Sequence, residues 1–377
     1  MKKICVVGGG NIGAVLFCEL SNNTDGKVVL SAIDADKWKK DIALADAAGE
    51  VLYEVKNVET HTEDVYDADL YFFTLPKNVL FPVLARYVEN AKEGSTFVFV
   101  PGTGGVEFCY GKAKERAIDF IGLQRPPYTA RWKELGKTAG ILSKKDKIFA
   151  CSMTGKDVGF LGDILKIEVV EMNNYLDITF TPSNPILHTS RIYGMFSKHP
   201  QAFDHNVLFY EEWDDFSSET LLACDRELQN IISKINESLP TAVTPLSIYY
   251  ESPTAEKMTR KLSSIKAFKG ITSPMKYDET SKGYVVDLSS RYFKEDFDYG
   301  LVIIKAFGEL TETKTPQIDD ILSWYGELSG KEVFDKDGKL NGKSYAQIPQ
   351  NNGINSLADV VKFYSKYGTG NGHFTYR

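Results

Sequence analysis

The residues best suited to chemistry near the amino end are the glycines of GGGNIG, which directly follows the apolar run KICVV. Gly8, Gly10 and Gly13 have the GxGxxG spacing and precede the helical run AVLFCELS. In a strand-turn-helix unit, the first glycine permits a tight turn, the second lets a pyrophosphate approach the backbone, and the third lets the helix pack on the sheet. Asn11 and Ile12 open that helix, where backbone N–H groups bind phosphate. The pattern therefore predicts a dinucleotide site.

Asp34 follows the second apolar run, VVLSAI, near the expected distance of about 20 residues from the glycines. Its carboxylate can accept hydrogen bonds from both hydroxyls of an adenosine ribose, which favours NAD because a 2′-phosphate would be repelled. One of the nearby Lys37, Lys39 and Lys40 could instead accept a 2′-phosphate, and Asp34 could simply cap the next turn. We therefore predict NAD or NADP as the cofactor, with NAD preferred.

Two later turns are further candidates for contact with the cofactor and substrate. Thr74, Leu75 and Pro76 end the run DLYFFTL, at a place where turns commonly contact the nicotinamide half of a dinucleotide. The turn PGTGG, residues 101–105, ends the next run and is a candidate for the edge of the substrate pocket. Both turns are equally compatible with ordinary strand endings.

The elements that must position these residues alternate between strand-like and helical character. The runs KICVVG, VVLSAI, DLYFFTL, TFVFVP and KIFAC are separated by helical segments, which predicts βαβ units and a doubly wound parallel sheet. Apolar residues recur at helical spacing in ETLLACDRELQNIISKINESL and PQIDDILSWYGELSG. We predict an α/β Rossmann-type domain over residues 1–175 and a mostly α-helical domain over residues 176–377.

Composition narrows the class of partner. The chain has 377 residues, enough for two domains, and a formal net charge of -7, which gives no attraction to nucleic acid or anionic membranes. No run approaches the roughly 20 apolar residues of a membrane span. Five isolated cysteines without CxxC pairs favour a reducing cytoplasm over a disulfide framework. Small-molecule partners are expected, in either a monomer or a homodimer.

A metal site is not expected. His199 and His205 lie close together in KHPQAFDHN, but no cysteine or clear pattern of acidic ligands accompanies them.

Three local patterns carry a resemblance to a known family. They are SNPILHTSRIYG at 183–194, RYFKEDFDYGL at 291–301 and PPYTAR at 126–131. Together with GGGNIG and PGTGG, they resemble the octopine and nopaline dehydrogenase family of opine dehydrogenases, over a stretch from residue 4 to about 325. The resemblance implies a Rossmann-type domain, a helical domain, and reductive condensation of a 2-oxo acid such as pyruvate with an amino acid's amine, or the reverse oxidation.

In that family the histidine of NPxxH and the aspartate of the ED pair form an acid–base dyad, which implies His188 and Asp296 here. Imidazole suits proton delivery to the oxygen that leaves as water, and a carboxylate on its other nitrogen fixes the tautomer. The resemblance also implies that Arg291 lines the substrate pocket, where its planar fork suits a carboxylate. The cofactor and the dyad would lie on different domains, so domain closure is expected.

This sequence departs from the family pattern near PPYTAR. Gln124 and Arg125 stand where an acidic residue and a small hydroxyl residue are common, and Phe81 falls near a place that often carries histidine. Arg125 could select an acidic amino acid or a longer polar amino donor, or could face water. Arg125 and Tyr128 are therefore predicted substrate-binding residues, but the amine specificity of octopine or nopaline enzymes does not transfer.

Two other functions fit the two-domain plan. A 2-hydroxy acid or polyol-phosphate dehydrogenase would need a catalytic lysine, for which Lys257 and Lys261 are the ones to test. A non-catalytic dinucleotide sensor would bind the cofactor without turnover. The presence of both His188 and Asp296 counts against the sensor.

Overall fold

The computed structural model describes residues 2–181, 183–199 and 202–367, which divide into two compact units. Unit 1 contains the chain up to Thr179 together with the end of the last helix from Tyr364, and unit 2 runs from Phe180 to Phe363. Within unit 1, the Tyr364 hydroxyl donates to the fully buried carboxylate of Glu107, 2.8 Å away. Residues 368–377 of the predicted second domain lie outside the described residues.

Unit 1 is built from short strands and helices in alternation. Its strands are β1 (Lys3–Val7), β2 (Lys27–Ser31), β3 (Ile42–Ala45), β4 (Val51–Val55), β5 (Glu59–His61), β6 (Leu70–Phe73), β7 (Thr96–Phe99), β8 (Asp119–Leu123), β9 (Tyr128–Glu134), β10 (Thr138–Lys144), β11 (Lys147–Ser152) and β12 (Glu168–Glu171). Its helices are α1 (Asn11–Asn23), α2 (Lys77–Asn90), α3 (Tyr110–Glu115), α4 (Phe160–Leu165) and α5 (Leu176–Thr179). The domain boundary predicted after residue 175 falls just before α5.

The main sheet of the described residues has the order β12-β11-β8-β7-β6-β1-β2-β5. Six neighbouring strands of this sheet, β8-β7-β6-β1-β2-β5, are all parallel, and their order is typical of a dinucleotide-binding fold. Strands β6, β7 and β8 are buried along their whole length, which explains their continuous apolar sequence. The chain order reverses at β1, so the carboxyl ends of β1 and β6 flank the crevice where such folds bind ligands.

The predicted α/β fold is confirmed, with one correction to the sheet. KIFAC forms β11, which pairs antiparallel with β8 and parallel with β12, so the sheet is mostly rather than wholly parallel. The sequence patterns also missed a second sheet, ordered β4-β3-β10-β9, that packs against α1. Trp38 and Trp132 meet edge to face in this layer, 5.0 Å apart, so α1 is covered on both sides.

Unit 2 is mostly helical, as predicted. Its helices are α6 (Ser183–Phe196), α7 (Asp215–Asn236), α8 (Leu246–Tyr249), α9 (Ala255–Ser264), a π-helix (Tyr292–Leu301), α10 (Val302–Leu310), α11 (Pro316–Ser329) and α12 (Leu357–Tyr367), the last of which continues into unit 1. A hairpin of β13 (Met275–Asp278) and β14 (Gly283–Val286) interrupts them. Helix α6 packs against α7 and the π-helix, and these elements position the side chains described below.

None of the helices in the described part of the chain combines the length and apolar character needed to span a bilayer. All five cysteines carry free thiols, four of them buried.

Candidate active site

The glycine-rich turn connects β1 to α1 with the geometry that its spacing predicts. Gly8 has a φ of +110°, a conformation that L side chains rarely adopt. A Cβ on Gly13 would lie 1.9 Å from the carbonyl oxygen of Gly8, so only glycine fits where α1 crosses the turn. These two glycines are therefore required by the fold itself.

Gly10 is different, because the protein around it does not require glycine. Its φ of -70° is open to any residue, and a Cβ there would meet no atom within 4 Å. The space lies at the N-terminus of α1, where the partial positive charge and free N–H groups favour phosphate. The turn therefore fits the pyrophosphate of a dinucleotide. The Asn11 side chain is already engaged, since it accepts a hydrogen bond from the Trp132 backbone N–H, and Ile12 packs partly buried against the core of unit 1.

These two glycines give a matched pair of substitutions. Gly10→Ala is expected to leave the thermal midpoint unchanged while raising the Kd for the dinucleotide by about tenfold or more, because the methyl group holds the pyrophosphate away from the N–H groups. Gly13→Ala is expected to lower the free energy of unfolding by more than about 3 kcal/mol, because its Cβ overlaps backbone. Thermal denaturation and cofactor titration measure the two effects. Equal loss of stability in both variants would contradict the separation.

Asp34 lies at the end of β2, beside the glycine-rich turn. One carboxylate oxygen is 3.1 Å from the position of a Cβ on Gly9. Asp34 precedes the 3₁₀ turn Ala35–Lys37 but makes no side-chain hydrogen bond to it, so a purely capping role is not what the structure shows. Asp34 is half-buried at this position.

The turns after β6 and β7 are tied to each other and to the glycines. The Thr74 hydroxyl lies 3.1 Å from the carbonyl oxygen of Gly8, and the Leu75 side chain packs against the same glycine. Pro76 is the residue before α2, and the buried Lys77 that follows donates from Nζ to the carbonyl oxygen of Pro101, at 2.8 Å. The two turns singled out in the sequence are thus linked through a buried ammonium group.

The two residues predicted near PPYTAR lie in unit 1 in different environments. Arg125 is half-buried, two residues beyond the end of β8. Tyr128 is only 3 % exposed and belongs to the apolar core of unit 1, with the Lys144 ammonium 5.7 Å from its ring centre. The Tyr128 ring is thus part of the core, and its predicted substrate-binding role remains a prediction.

In unit 2, His188 on α6 and Asp296 on the π-helix meet although they are 108 residues apart in the chain. His188 Nδ1 lies 2.8 Å from Asp296 Oδ2, and the two side chains are only 7 % and 12 % exposed. A carboxylate so placed accepts the Nδ1 proton and stabilises the imidazolium when the ring is protonated. The pair therefore has the geometry of an acid–base dyad.

Close approach of α6 to the π-helix explains why these side chains meet. A Cβ on Gly300 would lie 2.9 Å from Cβ and Cγ of Pro185, so glycine is required at this contact. Pro185 is tolerated because it lies in the first turn of α6. The proline of NPxxH and the glycine of the following YGL are thus packing partners, which brings His188 and Asp296 together.

The structure distinguishes Asp296 from the neighbouring acids that local sequence left equivalent. Asp298 accepts a hydrogen bond from the Tyr325 hydroxyl and forms an ion pair with Lys331. It therefore links the π-helix to α11 and the residues that follow it. Glu295 is half-buried on the same π-helix. Within the acidic run, Asp296 is the residue placed against His188.

Arg291, at the start of the π-helix, is exposed and lies with its guanidinium 5.8 Å from the Tyr292 ring centre. Tyr292 in turn packs edge-on against His188, with ring centres 4.7 Å apart. Arg291 is therefore near the dyad and open to a ligand, as a carboxylate-binding residue must be.

Sequence reasoning missed Tyr210, whose hydroxyl lies 3.0 Å from His188 Nε2. It precedes α7 in the run NVLFYEEW, where no spacing or residue pattern connects it to α6. Only the folded chain brings it to the imidazole.

The lysines and histidines of the alternative interpretations lie elsewhere in unit 2. Lys257 is exposed, and Lys261 forms an ion pair with Glu251. His205 is exposed between Asp204 and Glu212.

Comparison with known proteins shows what this chain is similar to. The family described as NAD/NADP octopine/nopaline dehydrogenase, alpha-helical domain, matches residues 171–329. Tauropine dehydrogenase of Arabella iricolor is 26% identical over 96% of this chain and 100% of its own length. Octopine dehydrogenase of Pecten maximus is 26% identical over 95% of this chain and 98% of its own. A solved structure of octopine dehydrogenase with NADH and L-arginine superposes with a TM-score of 0.82 at 21% identity, covering 100% of both chains.

The fold is thus that of octopine dehydrogenase, and the sequence similarity extends over nearly the full length of both relatives. The chain is similar to opine dehydrogenases over nearly its full length, and its helical unit matches the NAD/NADP octopine/nopaline dehydrogenase family.

Proposed function

We propose that this chain catalyses the reversible, NAD(P)H-dependent reductive condensation of a 2-oxo acid with the amine of an amino acid. The observation that carries the proposal is the 2.8 Å contact between His188 Nδ1 and Asp296 Oδ2 in a largely buried setting. It is supported by a glycine-rich turn with space for a pyrophosphate at Gly10. Similarity to the family supports the reaction class, and the arrangement of these residues supports the roles proposed for them.

In the proposed mechanism, His188 manages the proton that the condensation requires. The amine attacks the ketone carbon, and the protonated imidazole delivers a proton to the oxygen that leaves as water, forming an imine. Asp296 stabilises the imidazolium that this step consumes. Arg291 binds a substrate carboxylate through its planar fork. When bound, the dinucleotide supplies a hydride from C4 of its nicotinamide to the imine carbon. In the reverse oxidation, neutral His188 accepts the proton.

Residues of unit 1 would hold the cofactor by its phosphates and ribose. Gly8, Gly10 and Gly13, with the N–H groups of Asn11 and Ile12, would bind the pyrophosphate. Asp34 would bind the adenosine ribose, and the turn Thr74–Pro76 would contact the nicotinamide half.

The substrate pair is tested with the purified chain, NADH or NADPH, and a panel of 2-oxo acids and amino acids. The panel should include pyruvate, L-arginine and an acidic amino acid, the last because Arg125 adds a cation beyond β8. Loss of reduced nicotinamide absorbance that requires both organic partners supports the proposal. Loss with a 2-oxo acid alone would point to a hydroxy acid dehydrogenase, and binding without turnover would point to a sensor.

Cofactor preference gives a second prediction. Asp34 is expected to favour NADH over NADPH. Asp34→Ser should reduce that preference by about tenfold or more, because serine offers no charged acceptor to the ribose hydroxyls and no longer repels a 2′-phosphate. The ratio of kcat/KM for the two cofactors measures it. Asp36→Asn, which removes an exposed carboxylate two residues later, is the matched control and should leave the ratio unchanged. An unchanged ratio in Asp34→Ser would contradict the ribose assignment.

A further inference from the structure

The second nitrogen of His188 also has a partner, and the reaction class does not by itself call for it. His188 Nε2 lies 3.0 Å from the hydroxyl of Tyr210, on the side of the ring opposite Asp296. Tyr210 is 5 % exposed, so its hydroxyl contacts the imidazole in a site with little water. The imidazole is thus held at both nitrogens.

We propose that Tyr210 is a positioning residue for His188, and that its hydroxyl fixes the ring and stabilises the protonated imidazole from the Nε2 side. The inference rests on the acid–base role proposed for His188. Three features of unit 2 support it: the rigidity of the Tyr210 ring, the anchoring of its backbone, and the protonation state of its phenol.

The ring of Tyr210 stacks with two other aromatic rings. Phe268 stacks on it with ring centres 4.1 Å apart and planes at 22°, and Trp213 stacks at 6.0 Å and 13°. Trp213 is itself held by a hydrogen bond from Nε1 to the Ser218 hydroxyl, at 2.9 Å. Such a stack prevents Tyr210 from rotating away without loss of contact with both neighbours.

The backbone that carries Tyr210 is anchored to the helix that carries His188. Arg191, one turn after His188 on α6, is 1 % exposed and donates to the carbonyl oxygens of Phe209 and Glu212, at 3.0 and 2.6 Å. It also binds the Asp214 carboxylate at 2.7 Å. A buried guanidinium with this many donors satisfied defines the geometry of the segment strongly. The tyrosine and the histidine are therefore positioned by one helix.

The phenol remains protonated under all ordinary conditions. Burial, followed by the neighbouring Tyr292, Tyr250 and Asp296, raises the pKa of Tyr210 well above its usual range. With Asp296 accepting the Nδ1 proton, neutral His188 presents a lone pair at Nε2, to which Tyr210 donates. When His188 is protonated, its Nε2–H donates to the phenol oxygen instead, until a substrate oxygen takes over this hydrogen bond and receives the proton from Nε2, because Asp296 holds Nδ1. The second hydrogen bond is charge-assisted and therefore the stronger of the two.

This difference gives the sign of a pH effect. Asp296 and Tyr210 contact the imidazole through its two nitrogens, and the Tyr292 ring packs edge-on against it. Tyr250 and the exposed Arg291 lie close enough to Tyr210 to affect its pKa, and Arg191 on α6 anchors the segment that carries Tyr210. Loss of the Tyr210 hydroxyl weakens the protonated state of His188 more than the neutral state. The condensation needs the protonated form, so the fall in its rate with rising pH should set in at a lower pH. The oxidation needs the neutral form, so the rise in its rate with rising pH should also set in at a lower pH.

Tyr210→Phe tests the proposal in the full-length protein. We expect kcat/KM to fall by about tenfold and the pH profiles of both directions to move to lower pH by about half a unit or more. The KM for the reduced dinucleotide should not change. Phe268→Leu, which loosens the ring stack but keeps the hydroxyl, is the control and should lower the rate without moving the profiles.

A double substitution separates this inference from the proposed function. If Tyr210 acts through His188, adding Tyr210→Phe to His188→Ala should produce no further loss. An unmoved pH profile in Tyr210→Phe, or equal shifts in Tyr210→Phe and Phe268→Leu, would overturn the positioning role. Full activity of His188→Ala would instead overturn the function on which it rests.

Discussion

His188→Ala is expected to lower kcat of the condensation by roughly 10²- to 10⁴-fold while the Kd for the dinucleotide stays nearly constant. The imidazole would deliver the proton to the departing oxygen. Without that proton the oxygen must depart as hydroxide, which is a much poorer leaving group than water. The glycine-rich turn and Asp34 belong to unit 1, so the residues proposed to bind the pyrophosphate and ribose are unchanged by this substitution in unit 2. Steady-state kinetics and a fluorescence titration of the reduced cofactor measure the two quantities.

His205→Ala is the matched control, because both ring nitrogens of His205 also have hydrogen-bonding partners in unit 2, here Asp204 and Glu212, but the side chain is exposed. It should retain kcat within about twofold, as is usual for surface substitutions of small effect on stability. Parallel loss of kcat, cofactor affinity and thermal stability in His188→Ala would assign His188 to folding rather than to chemistry.

Asp296→Asn is expected to lower kcat by roughly 10²- to 10⁴-fold with little change in structure. Asparagine has nearly the same shape, but its amide carries no charge to stabilise the imidazolium in this largely buried pair. It can also rotate to offer an N–H toward Nδ1, which would favour the wrong tautomer of His188. The acid–base role is lost although the imidazole remains.

Glu295→Gln provides the control for the same π-helix, since it removes an identical charge one residue earlier. It should leave kcat nearly unchanged if contact with His188, rather than local negative charge, is what matters. Comparable losses in the two variants would show that the acidic run acts as a whole and would remove the specific role of Asp296.

The sequence predicts most accurately where function depends on local spacing. Gly8, Gly10 and Gly13 are separated by fixed steps within one turn, so their geometry follows from the chain itself. The long amphipathic helices α7 and α11 were likewise predicted from the 3.6-residue period. The direction in which a strand pairs depends on its neighbour in the folded sheet, not on the residues next to it in the chain. The antiparallel pairing of β11 with β8 was therefore missed.

The sequence by itself determined the glycine-rich turn between β1 and α1 and the α/β and helical halves of the chain, and through family resemblance it predicted His188 and Asp296 as the acid–base pair. Tertiary structure alone brought Tyr210 to Nε2 of His188 and buried Tyr128 in a core. It also gave Asp296 and Asp298 different partners, His188 and Tyr325. The physical reason is that a turn or an amphipathic helix is encoded by neighbours along the chain. A contact between side chains from α6, the π-helix and the segment before α7 depends instead on how those elements pack, which no single stretch of sequence specifies.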